Sequence, residues 1–167
     1  DHPGTIIHSN YGFSANVTDL KNTLLTAITH KDNIAQITVL LEDDPDKESL
    51  LLSELTQSNI SIDMINFFVD KKVFTIEEGQ IEKLEEILNR LMIKYTALKD
   101  CSKVTIIGSR ITGIPGVMAT IVKALGKENI RILQSSDSHL TISCLVAKEH
   151  AKKAVNILHR AFSLDDN

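Results

Sequence analysis

Three small residues pose the chemical question in this chain. In "VTIIGSRITGIPGVMATIVKAL", residues 104–125, an apolar run gives way to Gly113, Pro115 and Gly116, and then to apolar residues at helical steps. A helix that starts at such a turn offers unpaired N–H groups and the positive end of its dipole to an anion. Gly113 and Gly116 permit close approach of the backbone, and Pro115 presets the turn. Two phosphate chemistries are excluded by residue type. A P-loop needs Lys and then Ser or Thr directly after its last glycine, whereas Gly116 is followed by Val117, Met118 and Ala119. A dinucleotide fingerprint needs G-x-G-x-x-G and an acidic end to the next strand, whereas Gly108, Gly113 and Gly116 are wrongly spaced and that strand ends in Ser135-Ser136. The α-carboxylate of an amino acid suits the donors that remain. The same three residues would equally serve only to shape a strand-to-helix turn.

An amino acid's ammonium would need acceptors. Asp63, with Ser61 and Asn66 nearby in "NISIDMIN", offers them from a neighbouring copy of the chain. A second turn of the same kind surrounds Pro45 with Asp43, Asp44 and Asp46. Carboxylates stabilise a helix N-terminus but repel an incoming carboxylate, so a solvated acidic cap is expected there, with capture of an ammonium or a cation as the other reading. Two equivalent sites are not assured.

Catalytic and metal chemistry find no constellation. Cys101 and Cys144 are far apart and outside any C-x-x-C arrangement, which fits buried thiols in a reducing cytoplasm. His139 falls in a hairpin turn, and His30, His150 and His159 read as ordinary surface residues; neither H-E-x-x-H nor a paired Cys/His cluster occurs, so no metal site is expected. Glu77-Glu78, Glu85-Glu86 and Asp165-Asp166 are sequence neighbours, facing different ways on a helix or lying in a tail, so no acid/base pair is expected.

The elements that must position these turns come in two copies. A shift of 70 positions carries Pro45 onto Pro115, Leu51 onto Ile121, Leu55 onto Leu125, Asn59-Ile60 onto Asn129-Ile130 and Ile87-Leu88 onto Ile157-Leu158. The repeat is one of buried faces. In the first copy, "NIAQITVLL" (33–41) reads as a strand. A helix with Leu51, Leu52 and Leu55 on its apolar stripe follows, then the hairpin "ISIDMINFFV"/"KVFTI", a helix through Ile81, Leu84, Ile87, Leu88 and Leu91, and the strand "IKYTAL". The second copy repeats the order as "KVTIIG", a helix over about 116–127, "IRILQSS", "LTISCLV" and a helix carrying Ala151, Ala154, Val155, Leu158 and Phe162, but ends at "SLDDN" without its fourth strand. An unclaimed strand, "TLLTAIT" (23–29), precedes the first copy. The economical solution inserts the first unit into the second, so that this early strand completes the second unit's sheet. Each unit is then β-α-β-β-α-β, an α+β ferredoxin-like arrangement with helices on one face of an antiparallel sheet.

Bulk properties bound the rest. The 167 residues, 43% of them hydrophobic, suffice for two small cores, and no apolar run is long enough for a membrane span. A net charge of −4 with scattered lysines offers no basic face to nucleic acid. The opening at Asp1, with no initiator Met and no charged-then-apolar leader, reads as a piece of a longer chain.

Strand, Gly/Pro turn, helix and "N-I-x-I" opening the next strand resemble the ACT domain, a small amino-acid-binding module. "DHPGTII", "ITGIPGVMATIVKAL…NIRILQSSDSHLTISCLV" and "AVNILHRAFSL" together resemble the C-terminal regulatory region of the aspartate kinase (aspartokinase) family, with "ILQSSDSH" looking most like the diaminopimelate-sensitive kind. The first copy departs from the pattern, since Asp46 stands where that family often has Gly. The resemblance implies tandem ACT units: residues 1–22 as lead-in from a kinase core outside the sequence, 23–31 with 101–164 as the second unit, 32–100 as the inserted first unit and 165–167 as a tail. It implies an effector site of Ile114, Pro115, Gly116, Val117, Asn129, Ile130, Gln134 and Ser135, met by Ser61, Ile62, Asp63 and Asn66, with Asp44 and Pro45 in the first copy. It also implies feedback inhibition by lysine, threonine or diaminopimelate, a homodimer through the ACT units, a kinase core that uses ATP and Mg²⁺ outside this sequence, and a cytoplasmic enzyme. No catalytic residue, cofactor, nucleic acid or membrane is expected for the part in hand. A stand-alone tandem ACT regulator acting through protein partners is the alternative.

Overall fold

The computed structural model describes residues 25–42, 44–109, 111 and 114–162. The expectations for the lead-in 1–22, the start of the early strand at Thr23, Asp43, Gly113 and the tail 165–167 lie outside them. The described chain runs β1 (Leu25–Leu40), α1 (Pro45–Gln57), β2 (Asp63–Phe67), β3 (Lys71–Glu77), α2 (Ile81–Arg90), β4 (Lys94–Gly108), α3 (Val117–Lys127), β5 (Gln134–Asp137), β6 (Thr141–Ala147) and α4 (Ala151–Ala161). All six strands lie in one antiparallel sheet, ordered β2-β3-β1-β4-β6-β5.

The sheet departs from the expected pair of separate sheets in one respect. "TLLTAIT" and "NIAQITVLL" are halves of a single 16-residue strand, and "IKYTAL" and "KVTIIG" are halves of a single 15-residue strand. The polar stretch between the halves reads as a break but is carried as bulges. The register shifts on either side of the Ile34–Cys101 pair, and Asn33 and Asp100 beside it adopt φ of 59° and 53°. Asn and Asp tolerate this left-handed region better than other non-glycine residues, and a bulge lets a strand continue with extra twist. Equivalent turns of the two units hold the two bulges: Lys148 Nζ donates to Asn33 Oδ1 at 2.8 Å, and the Asp100 amide donates to Glu78 Oε1 at 2.6 Å. The buried Ser102 donates its hydroxyl to Asp32 Oδ1 at 2.5 Å between them.

Each long strand therefore serves both units. Ile34–Leu40 pairs with β3 and with the first half of β4, while Ala27–Lys31 pairs with Lys103–Ile107, the second half of β4. The early strand thus lies against the opening strand of the second copy. Both units have the ferredoxin-like α+β form, with β3 and β2 flanking β1 in the first, and β6 and β5 flanking β4 in the second.

Two apolar cores sit between this sheet and the helices. In the first, Ile37, Val39, Phe74 and Ile76 of the strands meet Leu51 and Leu55 of α1 and Leu84 and Leu88 of α2. In the second, Val104, Ile106, Cys144 and Val146 meet Ile121 and Leu125 of α3 and Ala154 and Leu158 of α4. The helical residues recur at three- and four-residue steps, which keeps them on one face. Leu52 departs from the expected stripe: it is 36% exposed, because its step from Leu51 turns it away from the sheet. Asn59 and Asn129 end the first helix of each unit in left-handed conformations (φ 54° and 56°), and the next amides, of Ile60 and Ile130, donate back to Leu55 O and Leu125 O at 2.9 and 3.0 Å. This is the geometry by which asparagine stops a helix. A third apolar cluster, Ile34, Met64, Cys101 and Leu145, with Leu133 against it, joins the two units.

Candidate functional site

The turn that raised the question ends in Gly116 with φ of 92°. That conformation is strained for any side chain with a Cβ, although a Cβ built there would meet nothing within 4 Å. Gly116 is the N-cap of α3, and no side chain caps the helix or places a negative charge in its first turn. The Thr120 amide and hydroxyl both donate to Gly116 O at 2.9 Å, which ties the turn to the helix. The first-turn amides above it have no intrahelical acceptor by construction.

Beside this helix start lies a cavity of about 260 Å³, walled by Ile111, Ile114, Val117 and Met118 on one side and by Ser135, Ser136, Asp137 and Ile142 of β5 and β6 on the other. Of the predicted residues, Ile114, Val117 and Ser135 line it, and Pro115 and Gly116 form the adjoining turn. Ser136, Asp137, Met118, Ile111 and Ile142 were missed, although Ser136 and Asp137 belong to the "QSSDS" run. Their role comes from β5 and β6 lying across from α3, a tertiary fact with no local signal. Asp137 brings a carboxylate to the cavity whose other wall is the positive end of a helix, so both ends of a zwitterion have a complement there.

The other predicted residues go elsewhere. Asn129 and Ile130 form the helix stop just described, with Ile130 buried in the second core. Asp63 accepts an ion pair from Lys103 Nζ, and its Oδ1 also accepts from the Met64 amide at 2.9 Å. Ser61 is exposed just ahead of β2, and Ile62 packs on the first core. Asn66 was expected to come from a neighbouring chain, yet within one chain its Oδ1 accepts from Gln134 Nε2 at 2.6 Å. Gln134 Nε2 also donates to Met64 O, and Gln134 Oε1 accepts from Gln36 Nε2 at 3.0 Å. Gln134 is therefore buried in an amide network that clamps β5 of the second unit to β2 and β1 of the first.

In the first unit the acidic turn is a cap. Asp44 Oδ1 accepts from the Lys47 amide at 3.0 Å, Pro45 is the first helical residue, and Asp46 and Glu48 occupy the first turn. One of its donors, the Lys47 amide, is thus taken by the chain's own carboxylate. The cysteines are buried thiols: desolvation raises the pKa of Cys101 and pushes that of Cys144 up to about 11. Among the described residues no three His, Cys, Asp or Glu gather as metal ligands, and no helix is long and apolar enough to cross a membrane.

Comparison with known proteins gives this architecture a family context. Residues 96–160 match the ACT domain family. Aspartokinase 1 of Bacillus subtilis (strain 168) is 32% identical over 162 residues, which cover 96% of this chain and 40% of that protein. The crystal structure of the aspartate kinase from Synechocystis superposes with a TM-score of 0.78 at 30% identity, over 87% of this chain and 28% of that one. The ligand-free regulatory subunit of aspartate kinase from Thermus thermophilus shares the fold, with a TM-score of 0.75 at 23% identity over 83% of this chain and 98% of that one. The chain spans 40–42% of the length of the curated relatives it matches. The chain thus carries two units of one α+β fold, the second of which matches the ACT domain family, and is similar along nearly its whole length to part of aspartokinases.

Proposed function

We propose that this chain is the amino-acid sensor of an aspartate kinase, giving feedback control over the phosphorylation of L-aspartate by ATP on a kinase core that uses Mg²⁺ and lies in the same cytoplasmic enzyme. The observation that carries this reading is the uncapped, glycine-started helix α3 facing Ser135, Ser136 and Asp137 across one cavity. The α-carboxylate of the effector takes the first-turn amides of α3, and its ammonium takes Asp137. Ile111, Ile114, Val117 and Ile142 flank the rest of the ligand.

The effector is an end product of aspartate-derived synthesis: lysine, threonine or diaminopimelate. "ILQSSDSH" favours diaminopimelate on resemblance. Two chains pair through their ACT units into a homodimer. An effector that prefers one arrangement of that seam shifts the kinase by a coupling of about 1–3 kcal/mol, the usual range. The similarity to aspartokinases along 96% of the chain supports this over a free-standing ACT regulator.

Titration calorimetry with the three amino acids, singly and together, tests the reading, with melting followed in parallel. One of them is expected to bind saturably and raise the melting temperature. Absence of heat and of a melting shift with all three would overturn it.

A further inference from the structure

The sulfur atoms of this chain belong to three methionines and two cysteines, and the fold hides most of them. Cys101 and Cys144 are 1% and 0% exposed, and Met64 is 5% exposed in the cluster that joins the units. Peroxides attack a cysteine through its thiolate, a form that apolar burial disfavours. The thioethers that solvent reaches are those of Met92, 85% exposed just beyond α2, and Met118, 39% exposed in the first turn of α3. Of the methionines only Met118 is among the described residues that wall the cavity at α3.

A thioether makes that part of the wall apolar, whereas its sulfoxide is polar and carries an oxygen that accepts hydrogen bonds. Position decides where the oxygen goes. Helical side chains lean toward the N-terminus of their helix and cover the turn before their own Cα. Met118, the second residue of α3, therefore leans toward the turn at Gly116, where no side chain caps the helix. The Met118 and Ala119 amides of that first turn have no intrahelical acceptor.

We propose that Met118 is a peroxide-sensitive modification site whose oxidation closes the cavity at α3 to a ligand's carboxylate. Hydrogen peroxide gives one oxygen atom to the sulfur. The sulfur lone pair forms the S–O bond, the O–O bond breaks, and the proton of the transferred oxygen passes to the departing hydroxide, which leaves as water. Sulfur loses two electrons and the peroxide gains them. The new oxygen is an acceptor beside the first-turn amides and competes for them with an incoming carboxylate. Sulfoxide reductases reverse the step, so the site can act as a switch. The consequence for effector binding rests on the function proposed above, whereas the modification and its imprint on the helix start do not.

The test treats the 167-residue chain with dilute hydrogen peroxide and follows it by peptide mass mapping and backbone amide NMR. Met92 and Met118 should each gain one oxygen while Met64 and both cysteines stay reduced. The Met118 and Ala119 amides should shift in the treated chain and in treated Met92→Leu, and return after incubation with sulfoxide reductases for both epimers. Peroxide should leave the Ala119 amide of Met118→Leu in place. In parallel calorimetry, whichever of lysine, threonine and diaminopimelate binds the untreated chain should bind the treated chain about tenfold more weakly, as loss of one hydrogen bond implies. Treatment of Met118→Leu should cause no such change. If none of the three binds the untreated chain, the sensor reading fails, and the mass map and amide shifts decide this proposal without it. Met118 left reduced where Met92 is oxidised, first-turn amides that ignore the oxidation, or effector binding that survives it unchanged would each overturn the proposal.

Discussion

Helices α1 and α3 occupy equivalent places in the two units and begin in opposite ways. At α1, Asp44 folds back onto the Lys47 amide, and Asp46 and Glu48 add negative charge to the first turn. At α3, Gly116 turns through a left-handed conformation and leaves the first turn without cap or acid. The scaffold below is the same in each case: a strand, a helix stopped by an asparagine, and a hairpin. The difference shows that the repeat supplies one turn geometry, while a single cap residue decides whether a first-turn amide is taken by the chain's own side chain. On the proposed reading, a duplicated fold keeps one sensor and turns the other helix start into a structural end.

The comparison is most forcefully tested beneath the helix starts. Leu55 and Leu125 hold equivalent, fully buried positions at 1% and 0% exposure. Leu55→Ala and Leu125→Ala should each cost about 2–5 kcal/mol in chemical denaturation. Losses of similar size would show that the helices are alike below their starts, whereas a near-zero loss at either would break the equivalence.

A smaller effect is expected from giving α3 the acidic turn of α1. Met118 lines the cavity and is 39% exposed, so Met118→Glu should leave the fold intact. Like-charge repulsion across a partly buried site should weaken effector binding about tenfold or more in calorimetry. Unchanged affinity would mean that the effector's carboxylate does not sit at this helix start.

The converse change, removal of the cap of α1, should be smaller still. Asp44→Ala should lower stability by about 1 kcal/mol, the usual cost of a lost N-cap, and leave effector binding at α3 as it was. A loss of effector affinity with that variant would make the acidic turn part of the site.

How far the fold was legible in the sequence follows the same division between local and distant causes. The 70-residue echo identified the paired helices because buried faces recur at helical steps, and it placed the turn at Pro115 beside a helix start. "HKDN" and "KDCSK" read as breaks because polar residues usually mark loops, yet Asn33 and Asp100 accept the positive φ that carries β1 and β4 through as bulges. Ile114, Val117 and Ser135, which line the cavity, were legible through the family resemblance. Asp137 and Ile142 were not, because only the placement of β5 and β6 opposite α3 brings them in. Gln134 illustrates the limit: its composition suits ligand binding, but the approach of β2 turns its amide inward, to bonds with the first unit.

The two long strands have a consequence for how such a molecule can change over evolutionary time. Side chains alternate across a strand, so a slip of one residue exchanges its faces. Because β1 and β4 pair along both units, one slip would turn both cores inside out together. The bulges around Ile34 and Cys101 act as alignment pins for the whole region. Neither half can therefore be traded as an independent cassette: a graft that alters one unit inherits the alignment of the other.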